Sequence, residues 1–179
     1  MQSPPARQLR CPIRARKTLI VTFTSPQTLS TSVETRALAA RLAPLLRAGN
    51  VVALSGELGA GKTFLARAII QALGGPDEVP SPTFTLVQTY DRSPAPVWHF
   101  DLYRLARPEE AYELDIEDAF IDAISLIEWP ERLGALLPRD RLDIHLAYGD
   151  TPDSRVATIT GGPSWTERLK ALSLEDLTP

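Results

Sequence analysis

Eight consecutive residues, Gly56-Glu57-Leu58-Gly59-Ala60-Gly61-Lys62-Thr63, fit the pattern G-x-x-x-x-G-K-[ST] at every fixed position. The chemistry this spacing suits is the grip of a phosphate chain. Glycines allow a tight backbone turn and a close approach to the ligand. The loop N–H groups and the start of the following helix supply positive potential. Lys62 is placed to reach β- and γ-phosphates, and the Thr63 hydroxyl to ligate Mg²⁺. Phe64 follows directly and opens the helical part of the motif.

Phosphoryl transfer also needs an acid near the metal and a group that positions the attacking oxygen. Two acids close apolar segments: Asp101 after Val97-Trp98-His99-Phe100, and Glu128 after Ile124-Ser125-Leu126-Ile127. Mg²⁺ takes oxygen ligands and keeps several waters, so one or two carboxylates suffice. Thr83, in Ser81-Pro82-Thr83, stands between the loop and the first acid, where a hydroxyl could sense the terminal phosphate through Mg²⁺ or merely serve a turn. Trp129 adjoins Glu128 and could stack on a ring or cap the core. His99 lies two residues before Asp101, on the same face of a strand, and reads as a hydrogen-bonded core residue or a ligand-orienting one. Arg104 is a candidate charge-stabilising arginine, though a surface ion pair is the commoner fate.

These groups need a scaffold. Val51-Val52-Ala53-Leu54 reads as a buried strand entering the loop. Phe64, Leu65, Ala68 and Ile69 recur at helical spacing after it, to about Leu73. Thr18–Thr24, Phe84–Tyr90, Val97–Asp101, Ala123–Ile127, Leu142–Ala147 and Val156–Ile159 read as further strands. Ser30-Thr31-Ser32 offers caps for a helix through Val33, Leu38, Leu42, Leu45 and Leu46. Pro108–Glu113 and Glu117–Ile121 read as short acidic helices, and Trp165–Leu172 as a C-terminal one. The alternation predicts an α/β nucleotide-binding fold: a mostly parallel sheet with antiparallel additions and helices on both faces. Ligands of such sheets sit at the carboxyl ends of strands, which brings the loop and both acids to one edge.

The 179 residues suit one domain, residues 18–179, preceded by a basic arm over 1–17. That arm holds five basic residues and no acid, and composition reads it as disordered. The rest holds 14 basic and 22 acidic residues, a net −8. An acidic body argues against a broad face that grips nucleic acid alone, so any RNA would be held by a partner. A single cysteine, Cys11, excludes an internal disulfide framework and a cysteine metal cluster, and it fits a reducing compartment. No apolar stretch reaches the ~20 residues of a membrane span.

Four blocks together carry a family resemblance: Ser55–Thr63, Ser81-Pro82-Thr83-Phe84-Thr85-Leu86-Val87, His99-Phe100-Asp101-Leu102-Tyr103-Arg104-Leu105 and Ile127-Glu128-Trp129-Pro130-Glu131. In order and spacing they resemble the TsaE family, the small bacterial ATPases of tRNA threonylcarbamoyladenosine biosynthesis. The resemblance implies a P-loop fold, cytoplasmic location, and hydrolysis of ATP to ADP with Mg²⁺. It implies partnership with the TsaD and TsaB proteins, with tRNA reached only through that complex. By the same resemblance Lys62 and Thr63 serve phosphate and Mg²⁺, and Thr83 is the switch-like threonine. Asp101 and Glu128 are the acids at the metal, Glu128 also acting on the attacking water. Trp129 neighbours the nucleotide, and the pair Glu34-Thr35 lies near its base. Glu57 stands where many members have Asp, and Phe64 where a second Thr is common.

Two other readings compete. A small-molecule P-loop kinase would need an acceptor site and a mobile Arg-rich lid, but the later arginines are scattered. A nucleotide-gated assembly module would bind ATP without relying on turnover. A GTPase is disfavoured by the lack of an Asn-Lys-x-Asp motif.

Overall fold

The apolar run Val51–Leu54 forms the centre of a seven-stranded sheet, as strand β2 (Val51–Gly56). It is buried on both sides, which is why it reads as a continuous hydrophobic run. The computed structural model describes residues 23–91 and 94–170. The other strands are β1 (Phe23–Leu29), β3 (Val87–Tyr90), β4 (Val97–Asp101), β5 (Ile124–Glu128), β6 (Leu142–Tyr148) and β7 (Arg155–Gly161). Their spatial order is β1-β7-β6-β2-β5-β4-β3. The central strands β6, β2, β5 and β4 run parallel, while β3 joins β4 and β7 joins β6 and β1 antiparallel.

Strand alternation sends successive residues to opposite faces and so builds two cores. On one face, helices α1 (Ser32–Leu42) and α2 (Lys62–Ala72) pack Leu38, Leu42, Leu65 and Ile69 against Val52, Leu54, Ile124 and Leu126. On the other, helix α3 (Ile116–Asp122) and the Pro130–Leu136 turn pack Ile116, Ala119 and Leu133 against Val51, Phe100 and Ile127. Truncating a fully buried side chain such as Ile69 to Ala costs about 2–5 kcal/mol. Helix α4 (Thr166–Lys170) follows β7. No helix among the described residues is long and apolar enough to cross a membrane.

Three expectations change. The first strand runs over Phe23–Leu29, later than Thr18–Thr24, whose residues 18–22 lie outside the described part. Pro26 lies within β1, an edge strand, where a missing N–H donor is tolerated. The strand expected from Phe84 begins only at Val87. Leu86 has φ 65° and its N–H bonds the Pro82 carbonyl at 2.6 Å, so Phe84 belongs to a turn and is 82% exposed. Val33, in the first turn of α1, lies on its solvent side. The basic arm 1–17 and residues 171 and 172 of the expected C-terminal helix lie outside the described residues.

Candidate nucleotide and metal site

Strand β2 ends in the loop Gly56–Gly61, and α2 begins at Lys62. Gly56 has φ +133°, and a Cβ there would run into the Leu146 carbonyl of the neighbouring strand. Gly61, the residue before α2, has φ +103° with open space around it, so only its backbone conformation calls for glycine. Two side chains, one from the end of β6 and one from the start of β7, hold the loop from outside. Tyr148 Oη donates to the Leu58 carbonyl at 2.8 Å, and Arg155 Nη2 to the Gly59 carbonyl at 3.4 Å. Ala60 is fully buried beneath the turn, while Glu57, Leu58 and Gly59 are exposed.

Lys62 folds back over its own loop. Nζ donates to the Gly56 carbonyl at 2.7 Å and the Glu57 carbonyl at 2.8 Å, and lies 3.8 Å from the centre of the Trp129 ring. Loss of hydration lowers its pKa below the usual lysine value, a shift opposed by the nearby carboxylates of Glu128, Glu131 and Asp101. Trp129 reaches this position because it leaves β5 in the left-handed conformation, with φ 60°. Its ring packs on Tyr103, with centroids 5.0 Å apart.

The two strand-end acids meet at this edge. Asp101 and Glu128 are register partners on the adjacent parallel strands β4 and β5, 4% and 2% exposed. Thr63 Oγ1 donates to Glu128 Oε2 at 2.8 Å, and Thr83 Oγ1 donates to Asp101 Oδ2 at 2.7 Å. Asp101 Oδ1 accepts from the Tyr103 N–H at 3.1 Å, and Glu128 Oε1 lies 2.9 Å from His99 Nε2. The Ser81–Leu86 turn presents Thr83, whose hydroxyl also lies 2.8 Å from Ser81 Oγ. Its end is tied to the strand by the Asp101 N–H bond to the Leu86 carbonyl at 3.0 Å.

A cavity of about 330 Å³ is lined by Lys62, Thr63, Thr83, Asp101, Glu128 and Trp129, among others. Every oxygen converging on it is a hard donor, and two buried carboxylates face one lysine, so the set suits Mg²⁺. Among the described residues no cluster of three or more His, Cys, Asp or Glu side chains forms a cage, so such an ion would retain waters. A second cavity of about 200 Å³ flanks the loop on its other side, lined by Leu29, Thr35, Ala60, Gly61, Phe64 and Arg155 among others. Phe64 borders both cavities.

The structure thus brings Gly56 through Phe64, Thr83, Asp101, Glu128 and Trp129 to one place. Thr35 borders only the second cavity, and its hydroxyl bonds the Thr31 carbonyl of its own helix at 3.3 Å. Glu34 is engaged in capping: its Oε2 accepts the Ser30 N–H at 2.6 Å, and its N–H donates to Thr31 Oγ1 at 3.3 Å. Arg104 stacks on Phe84 at 4.6 Å and does not line the cavity at Asp101 and Glu128. The motifs do not single out Tyr148, Arg155 or Arg67, nor Tyr103 within its block; Arg67 also borders the cavity at Asp101 and Glu128. Arg67 carried a legible signal, standing four residues after Thr63 on the same helix face. Tyr148 and Arg155 carried none, because their contacts span 90 and 96 residues of chain.

Comparison with known proteins shows the family and the fold. Residues 29–156 match the family model described as "Threonylcarbamoyl adenosine biosynthesis protein TsaE". The "tRNA threonylcarbamoyladenosine biosynthesis protein TsaE" of Rickettsia bellii is 42% identical over 133 residues, covering 74% of this chain and 92% of the relative. Its Streptomyces coelicolor counterpart is 42% identical over 137 residues, covering 73% and 93%. The crystal structure of Bacillus subtilus YdiB superposes with a TM-score of 0.72 at 29% identity, covering 87% of this chain and 97% of that one. With its α/β P-loop fold and this match over most of its described length, the chain belongs to the TsaE family of threonylcarbamoyl adenosine biosynthesis proteins.

Proposed function

We propose that this protein is a Mg²⁺-dependent ATP hydrolase that serves tRNA threonylcarbamoyladenosine biosynthesis by supporting turnover of the TsaD and TsaB proteins. The observation that carries the reading is the Asp101–Glu128 pair at the mouth of the phosphate loop, facing Lys62 and Thr63. The partners rest on family membership.

Thr63, Thr83, Asp101 and Glu128 would hold Mg²⁺, which when bound neutralises charge on phosphate oxygens. Lys62 exchanges its two loop carbonyls for the β- and γ-phosphates. The loop N–H groups and the start of α2 bind the same phosphates through fixed dipoles. Glu128 orients the attacking water and accepts its proton. Trp129 covers Lys62 and limits water at the reacting end. The second cavity, with Phe64 and Thr35, takes the base side of the nucleotide.

The test is a pair of variants assayed for ATP binding and turnover. Lys62→Ala loses turnover. Glu128→Ala still binds ATP while turnover falls by about 10²–10⁴-fold, the usual worth of a positioned general base. Near-normal hydrolysis by Glu128→Ala sinks its role. The rate of the unaltered protein rises when TsaD, TsaB and tRNA are added; a rate indifferent to them favours a nucleotide-gated assembly role instead.

A further inference from the structure

We propose that His99 is the positioning residue of this site: it holds Oε1 of Glu128, so that Oε2 alone is presented to Thr63 and to the reaction. The proposal rests on the role given to Glu128 above. His99 is fully buried on β4, on the same face as Asp101 two residues on. The register sets His99 beside Leu126 and Asp101 beside Glu128. The imidazole therefore reaches along the strand direction to the carboxylate, with Nε2 2.9 Å from Oε1.

The terminal torsion of a glutamate is broad, so an unrestrained carboxylate exchanges its two oxygens. In this site the oxygens have different partners, His99 on Oε1 and the Thr63 hydroxyl on Oε2. An ionised carboxylate only accepts hydrogen bonds, so the contact requires a proton on Nε2. The other nitrogen, Nδ1, is buried and has no hydrogen-bond partner among the described residues. Burying a bare polar nitrogen is costly, and packing alone would be served by an aliphatic residue. The geometry assigns His99 a proton on Nε2, directed at Glu128 Oε1.

Long-range ¹H–¹⁵N correlation on the full chain tests this without any assay of activity. Only two histidines need assignment, and His145 is separable by its Nδ1 contact with Ser55 Oγ at 3.0 Å. His99 shows a proton on Nε2; an Nε2 without a proton overturns the proposal. In turnover assays, His99→Leu keeps ATP affinity within about threefold and loses about 10–100-fold in kcat, the range seen when an orienting partner is removed. His99→Gln, which retains a donor, recovers most of that loss. A folded His99→Leu with unaltered kcat, or equal loss in both variants, overturns the assignment. If His99→Leu does not fold, the Nε2 proton and the Gln variant still decide. If the unaltered protein hydrolyses no ATP even with its partners, the proposed function fails, while the Nε2 proton still reports whether His99 holds Glu128.

Discussion

Asp101 and Glu128 stand side by side across the parallel β4–β5 pair, and each carboxylate takes a hydroxyl from a different part of the chain. Thr63 comes from the start of α2 and Thr83 from the turn before β3. Two buried like charges in adjacent strands repel unless a cation intervenes. Lys62 is tied to loop carbonyls and supplies only part of that charge. On the proposed function, a cation between the loop and the strand ends would supply the rest.

Removing the Thr83 hydroxyl tests its share in that arrangement. Thr83→Val keeps the shape of the side chain and deletes the donor to Asp101 Oδ2. The Mg²⁺ concentration for half-maximal ATP hydrolysis rises by about 10–100-fold, as expected when a carboxylate loses an orienting partner. A Mg²⁺ titration that superposes on that of the unaltered protein removes Thr83 from the site.

Glycines of the loop differ in what they tolerate. Gly56→Ala drives a methyl into the Leu146 carbonyl at a left-handed φ. It costs about 2–4 kcal/mol, lowering Tm by on the order of 10 °C for a domain of this size. Gly61→Ala meets no atom within 4 Å and pays only for its φ of +103°, about 1–2 kcal/mol. Thermal unfolding that ranks Gly61→Ala as the more damaging contradicts this account.

Burial gives Lys62 a pH signature. Its pKa in the folded protein lies below the unfolded value of 10.5. Between the two values the unfolded chain binds more protons, so stability rises with pH across that window. The effect is absent from Lys62→Met. Urea unfolding of the nucleotide-free proteins is expected to show the unaltered chain gaining on the variant as pH climbs from neutrality towards 10.5. Parallel stability curves would mean that Lys62 is hydrated as in the unfolded chain.

The legible features were those whose signal is local. The phosphate loop shows because its glycines, lysine and threonine act within eight residues. The strands ending in Asp101 and Glu128 show because each apolar run stops at its acid. Pro26 is accommodated in β1 because a proline is excluded only from interior strand positions, and edge status is a property of the whole sheet. Phe84–Leu86 misled because its alternating pattern suits a strand, while the Leu86 bond to Pro82 folds it into a turn. His99 could be read as core or as ligand orienter until β4 and β5 were set in register.

The sequence by itself determined the phosphate-loop motif, the acids that accompany it and the family, since short motifs in order carry all three. Only the tertiary structure decided that Asp101 lies beside Glu128, that His99 holds one oxygen of Glu128 and that Tyr148 and Arg155 brace the loop. Those contacts join residues 27 to 96 positions apart. They are fixed by strand order and register, which arise from burying two opposite faces of one sheet at once.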